Sequence, residues 1–313
     1  MFLKQRKETT DPRVRSLLQK AARRGFCEIT EMAVHRLDSS GERTWLRSRA
    51  VVITFEECWP LAASLSLSKD SNSKLRSLVD VCQSAKQKDA AGLGALAFAY
   101  HEGDRSMVDV VPDRRALRIV AAALQRPEAF FGWASLACQS ERQRSVVAAA
   151  QRYLAAATWA WDKACILAGA FLAVTGDVPE PTPGGQLTSD FPFWVALDKH
   201  TPQGKPVLSE VAAELKVSYR QIIWAGFYFE SAVVNKLCLS LWWDAERLWR
   251  LRRAGLSVEA GAVLWGRARP LVMKRLLNEA SSLRETVMSG FSIQHDLLRD
   301  GRLEADRRSV KKE

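Results

Sequence analysis

Apolar positions along this chain recur with a helical period almost throughout. Asp11 precedes Pro12, and Val14, Leu17, Leu18, Ala21 and Ala22 then fall at i, i+3, i+4, i+7 and i+8, the stripe of an amphipathic helix. Asp is a favoured N-cap, Pro costs nothing at the first helical position, and Gly25 suits the C-terminal end. The same periodicity predicts helices over 28–37, 44–59, 75–85, 90–100 and 113–124, with Pro127 ending the last. The 44–59 segment is apolar on most sides (Trp45, Leu46, Val51, Val52, Ile53, Phe55, Trp59), which places it centrally. A long Ala-rich helix is expected over 142–174, and others over 207–214, 219–243, 244–254 and 258–277. Strict alternation is rare; Met107–Val111 is the best strand candidate, and it is short. The expected fold is all-α, a multi-helix bundle of two packed helical subdomains. A Pro/Gly-rich linker over 177–193 would separate an N-terminal domain (1–176) from a C-terminal one (194–313) that ends in a charged tail from Arg299.

Composition changes this picture little. With 47% apolar and 26% charged residues over 313 positions, the chain is ordinary globular material, large enough to bury a core without metal or disulfide support. Six cysteines lie singly, with no CxxC pair, and the first residues are charged rather than apolar. Free thiols in a reducing cytoplasm are the expectation. The longest apolar run, 164–175, is too short to span a bilayer, so no membrane role is expected. Net charge is the informative quantity: +11 favours polyanionic partners.

Catalytic signatures are missing from the sequence. A P-loop needs GxxxxGK[ST] so that backbone amides and a lysine hold the phosphates. The nearest fragments, Pro183-Gly184-Gly185 and Gly204-Lys205-Pro206, lack that spacing and the hydroxyl. HExxH and GxSxG are absent too. No cofactor is expected, and ATP chemistry would have to come from another chain.

Three features remain. Asp198 and His200 stand two residues apart, and Glu56-Glu57 form an acidic pair. These are parts from which an acid/base or metal centre is built, or simply a cap and partners for arginines of neighbouring helices. Residues 207–229 have the pattern of a helix-turn-helix: Ala212 is small where the first helix must be, Ile222 packs back, and Tyr219, Arg220 and Gln221 would lead the second helix into the major groove. Lys216 stands at the turn where Gly is usual, and the run Trp224, Phe227, Tyr228, Phe229 also fits a core hairpin. Finally, basic residues cluster. Residues 1–24 hold Lys4, Arg6, Lys7, Arg13, Arg15, Lys20, Arg23 and Arg24; Arg247, Arg250 and Arg253 recur three apart; Arg267, Arg269, Lys274 and Arg275 lie near Trp265. Either these guanidinium groups meet phosphates, or they are solvated faces beside core tryptophans. On the first reading the nucleic-acid contacts are Lys20, Arg23, Arg24, Arg220, Arg247, Arg250, Arg253, Arg267 and Arg269.

Residues 11–65 also resemble a known family. A helix ending in Lys20, Arg23, Arg24 and Gly25 is followed by a second small helix. A third then carries Arg47, Arg49, the Val51-Val52-Ile53 run and Glu56-Glu57. This succession is similar to the helical collar that follows the ATPase core in clamp-loader-type AAA+ proteins, the RarA (MgsA) replication-recombination ATPases in particular. The ATPase module is missing here, and Cys58-Trp59-Pro60 replaces the small residues usual after the acidic pair. The collar serves oligomerisation in that family, so the resemblance implies a non-catalytic assembly or adaptor role near DNA replication, repair or defence. The implied partners are DNA, through its phosphate backbone, and an AAA+ ATPase, another replication or repair component, or a second copy.

Overall fold

The computed structural model describes residues 11–67 and 73–289. The basic residues Lys4, Arg6 and Lys7 and the charged tail from Arg299 lie outside the described residues. Helix α1 (Pro12–Arg24) begins as its sequence predicts, with the Asp11 carboxylate accepting from the Arg13 amide at 2.9 Å. Gly25 ends it at φ 80°, and a Cβ there would stand 2.2 Å from the Gly185 carbonyl. Both the left-handed backbone and the close approach therefore need glycine.

The chain continues through α2 (Cys27–Ser39), α3 (Arg43–Cys58), α4 (Ala62–Leu67), α5 (Ser73–Gln83), α6 (Asp89–His101), α7 (Arg114–Ala123), α8 (Pro127–Ala137), α9 (Glu141–Leu154) and α10 (Ala160–Thr175). After the Pro/Gly-rich segment come α11 (Gly204–Glu214), α12 (Tyr219–Gly226), α13 (Leu241–Arg253) and α14 (Val258–Met288). The molecule is all-α; among the described residues no strand forms, only isolated bridges such as that of Lys86 with Leu237.

Two main apolar cores meet at α3. Its Leu46, Ala50 and Ile53 face a core built from α1, α2, α5, α11, α12 and α14, while Val51 and Phe55 face one built from α6 to α10 and α13. Helix α6 packs unusually close to its neighbours. A Cβ on Gly94 would stand 2.7 Å from the Cys165 Cα of α10, and one on Gly92 2.3 Å from the Trp242 backbone of α13. The Ala/Gly composition of α6 is thus what two backbone approaches require.

Several expectations need correction. The divide at 177–193 does not separate the cores, because α11, α12 and α14 pack with α1 and α2, and α13 packs with α6. The 142–174 helix is broken at 155–159, where the chain reverses so that α9 and α10 can pack on each other. Pro127 opens α8 at its N-terminus instead of only closing α7. Met107–Val111 is a run of turns, with the Val110 amide donating to the Met107 carbonyl at 2.9 Å. The 219–243 segment stops early too. After a π turn over Phe227–Ser231, the strand-like stretch beyond it bonds Lys86 from both sides, Lys86 N to Lys236 O at 2.7 Å and Cys238 N to Lys86 O at 2.9 Å.

Candidate functional site

The basic end of α1 turns inward. Amphipathic packing puts Leu17, Leu18 and Ala21 in the core, and the following turn carries Lys20, Arg23 and Arg24 beneath the C-terminal helices, all three buried. Lys20 pairs with Asp198 at 2.7 Å. The Arg23 guanidinium uses every edge, donating to Glu57 Oε1 (2.7 Å), Glu56 Oε1 (3.1 Å) and the Ser231 carbonyl (2.7 Å). Arg24 donates to both the carbonyl (2.7 Å) and the carboxylate (3.0 Å) of Glu230.

The acids are shared further. Glu56 also receives Gln19 and Arg49, and Arg49 reaches Asp162 at 3.0 Å. Glu57, fully buried, has Lys88 at 3.0 Å on its other oxygen, with that ammonium 4.6 Å from the centre of the Trp243 ring. Glu230 accepts from Arg269 at 2.8 Å and from the Trp265 indole at 3.3 Å. Lys86, also fully buried, donates to the Val81 and Ser84 carbonyls at the end of α5, where a cation complements the helix terminus. The π turn matters here: the wide turn presents the Glu230 and Ser231 carbonyls to the two arginines, the Glu230 carbonyl also accepting from the Val233 amide at 3.1 Å.

This clasp ties α1 and α3 to the segments that carry residues 88, 198 and 230–231. Its electrostatics follow from burial opposed by pairing. Burial pushes the Glu57 carboxyl up, but Arg23 and Lys88 outweigh it and hold the pKa down to about 2. Asp198 is likewise raised by burial and held well below the carboxylate range by Lys20 and His200. Lys20, with desolvation dominant, is lowered. Charges so placed are matched rather than free.

Lys20, Arg23 and Arg24 are therefore corrected as nucleic-acid contacts: buried in ion pairs, they cannot meet a phosphate at the surface. Arg269 and Arg250 lie nearer the surface but are engaged by Glu230 and Glu246. Arg247 pairs with Asp244, and Arg253 with Asp104. Arg220 and Arg267 are exposed with no acidic partner among the described residues, as are Arg252 and Lys274.

Asp198 and His200 do come together, with the ring Nδ1 3.1 Å from Oδ1 and the imidazole largely exposed. That contact orients the ring. The adjoining notch, lined by Asp198, Lys199, Glu230, Ser231 and Trp265, encloses about 20 Å³, room for roughly one water rather than a substrate. Lys199 closes one side, its ammonium 3.6 Å from the Trp224 ring centre; burial and the nearby Arg250 lower its pKa to about 8. Glu56-Glu57 face Arg23, Arg49 and Lys88 instead of a metal site, and among the described residues no group of three His, Cys, Asp or Glu side chains could hold an ion. None of the six cysteines forms a disulfide, and burial raises Cys58 to about 12, a thiol poorly suited to attack.

Helices α11 and α12 form the expected turn. Lys216 adopts φ 55°, and the Val217 amide donates to the Ala212 carbonyl at 3.0 Å. Ala212 and Ile222 are buried as that motif requires. Ser218 caps α12 reciprocally with Gln221, so the Gln221 carbonyl oxygen is already engaged while Tyr219 and Arg220 stay exposed. A lysine in the left-handed region is strained. Lys216→Gly is expected to stabilise the fold by about 0.5–1 kcal/mol, the relief of strain less the entropy glycine adds to the unfolded chain. A rise in the urea midpoint checks this; an unchanged or lower midpoint contradicts it.

Lys86, Lys88, Asp162, Glu230 and Lys199 belong to this centre as well, and no pattern in the sequence marks them. Lys86-Gln87-Lys88 reads as a polar loop, and only the packing of α5, α6 and the 232–240 stretch around it makes it interior. Comparison of the chain with protein-family models, with characterised proteins and with solved structures finds no match.

Proposed function

We propose that this chain is a non-catalytic adaptor that works on DNA beside a replication, repair or defence machine. One observation carries the reading. Most of the charged residues on which the clamp-loader-collar resemblance rests, Lys20, Arg23, Arg24, Arg49, Glu56 and Glu57, take part in one buried clasp that ties α1 to α3 and to the segments carrying Asp198 and Glu230. Their work is to make a rigid helical platform, which is what an assembly module needs. The net charge of +11 and the exposed Arg252, Arg267 and Lys274, which have no acidic partner among the described residues, supply attraction for phosphates. The supporting partner is an AAA+ ATPase or another replication or repair component in a reducing, cytoplasmic setting.

Affinity for single-stranded, duplex and forked DNA across a salt series tests the DNA part. Binding should weaken linearly on logarithmic axes, and each lost phosphate contact on duplex should flatten the slope by about 0.9 in the combined Arg252→Ala, Arg267→Ala, Lys274→Ala variant. No binding at low salt, or a slope the variant leaves unchanged, overturns it. Co-purification of tagged chain without any replication or repair protein overturns the adaptor part.

A helix-turn-helix reader is the second reading, favoured by the left-handed turn at Lys216 and the exposed Tyr219 and Arg220 at the start of α12. It requires a sequence-selective footprint that Arg220→Ala abolishes; a footprint indifferent to that change retires it.

A further inference from the structure

Two cysteines from different helices meet beside the clasp. Cys27 opens α2, Cys82 lies in the last turn of α5, and the two helices pack on each other. Their side chains are in hydrogen-bond contact. A third group fixes how they meet. The Thr30 hydroxyl has one proton and gives it to the Phe26 carbonyl at 2.8 Å, so at its 3.1 Å contact with Cys82 Sγ the thiol is the donor. With that proton spent, Cys82 meets Cys27 as an acceptor, through the lone pairs that make a disulfide bond. Asn235 donates to the Cys82 carbonyl at 3.3 Å, and to those of Ser84 (3.2 Å) and Gly185 (2.7 Å), which anchors the end of α5.

Access sets the order in which the two sulfurs react. Cys27 is partly exposed, within reach of a small oxidant. Cys82 is buried, and burial pushes its thiol well above the ordinary range. It is inert toward an oxidant in solution and answers only a sulfur already oxidised beside it. Cys138 is partly exposed as well, but its thiol donates to the Ala134 carbonyl at 3.2 Å, a partner that cannot close a bond with it.

We infer that Cys27 and Cys82 are a peroxide-oxidised dithiol that closes a reversible disulfide between α2 and α5. The Cys27 thiolate attacks one oxygen of hydrogen peroxide, the O–O bond breaks, and the departing hydroxide takes a proton to become water. Cys82 then attacks the sulfenic sulfur of Cys27. The S–S bond forms, the S–O bond breaks, and the Cys82 proton leaves with the hydroxyl as a second water. Two thiols are oxidised and one peroxide is reduced; a thiol reductant reopens the bond. The closed bond ties together the two turns that carry much of the clasp, with Arg23 and Arg24 just before Cys27 and Lys86 and Lys88 just after Cys82.

The test treats the folded full chain with equimolar hydrogen peroxide, alkylates the remaining thiols in denaturant, and digests with trypsin without reduction. Mass spectrometry should find peptides 25–36 and 77–86 joined, two hydrogens lighter than their sum, and the thiol titre should fall by two per chain. Cys82→Ser should instead hold Cys27 as a sulfenic acid that dimedone labels, and Cys27→Ser should leave Cys82 reduced at the same dose. In urea, where contact no longer selects the partner, cross-links should scatter among the six cysteines. The oxidised chain should show a higher urea midpoint that dithiothreitol returns to its original value. Other pairings in the folded chain, Cys138 oxidised as readily as Cys27, or the same single pairing in urea overturns the proposal. So does a Cys27 sulfenic acid that never condenses with Cys82 in the unaltered chain. A midpoint that falls on oxidation overturns it as well, since the sulfurs would then have been forced together.

Discussion

Replacing Arg23 by methionine is expected to destabilise the fold by about 3–5 kcal/mol, the usual cost of removing one partner from a buried ion pair. The magnitude comes less from the lost attraction than from what is left behind. Glu57 is fully buried, and with Arg23 gone only Lys88 faces it. Glu56 keeps Arg49 and Gln19, while the Ser231 carbonyl loses the donor that reaches it. Urea unfolding monitored by circular dichroism reads the effect directly. A loss under about 1 kcal/mol would mean that these charges are solvated or rearrange, and the clasp would lose its standing as the centre of the molecule.

The same logic predicts a rescue. In the combined variant Arg23→Met, Glu57→Leu, Lys88→Met no uncompensated charge remains among the three. Apolar groups of similar volume often replace buried ion clusters without loss, so most of the deficit should return. What should not return is the share due to the unpaired Ser231 carbonyl, about 1–3 kcal/mol. If the combined variant is no more stable than Arg23→Met alone, shape rather than charge governs this site.

How much of this was legible beforehand follows from which forces act locally. Helix α1 was readable from its cap, its stripe and Gly25 because those are short-range signals. The helical class followed from periodicity for the same reason. The ends of α9 and α12 were not readable, since a chain reversal and a π turn that serves two distant arginines are demands of packing. The site failed in an instructive way. Lys20, Arg23 and Arg24 lie on a helix whose apolar stripe is unmistakable, and their charge alone argued for the surface. Only the acids of α3, at 56–57, and of the chain near 198 and 230 turn that end inward, and their proximity is set by tertiary structure. The family resemblance held one usable hint, because it grouped the basic end of α1 with the acidic end of α3. Opposite charges at the ends of neighbouring helices are the signature of a clasp as much as of a surface.

Acid should weaken the fold through that clasp, even though its carboxyls are the last to take up protons. The Glu57 carboxyl titrates near 2 in the folded chain against an ordinary 4.5. A depressed carboxyl contributes stability that is fully present above the unfolded value and is lost as pH falls through the folded one. The loss therefore runs from about pH 4.5 down to pH 2 and amounts to about 3 kcal/mol for this group. Asp198, also held below its ordinary range, adds in the same direction. Asp162, raised mainly by burial, works against it, because protonation relieves that residue. On the alkaline side the slope keeps the same sign, since the folded-state value is again the lower one. Lys199, lowered to about 8 by burial, sheds its proton in the folded chain before the unfolded one does near 10.5, so stability rises across that interval. The measurement is the urea midpoint from pH 7 to pH 2, taken in parallel on Glu57→Gln. That variant should be weaker at neutral pH, where the charge it lacks is matched by Arg23 and Lys88, and its acid flank should be shallower, so that the two curves converge near pH 2. Parallel curves separated by a constant gap would place the acid sensitivity elsewhere and leave Glu57 a hydrogen-bonding group only.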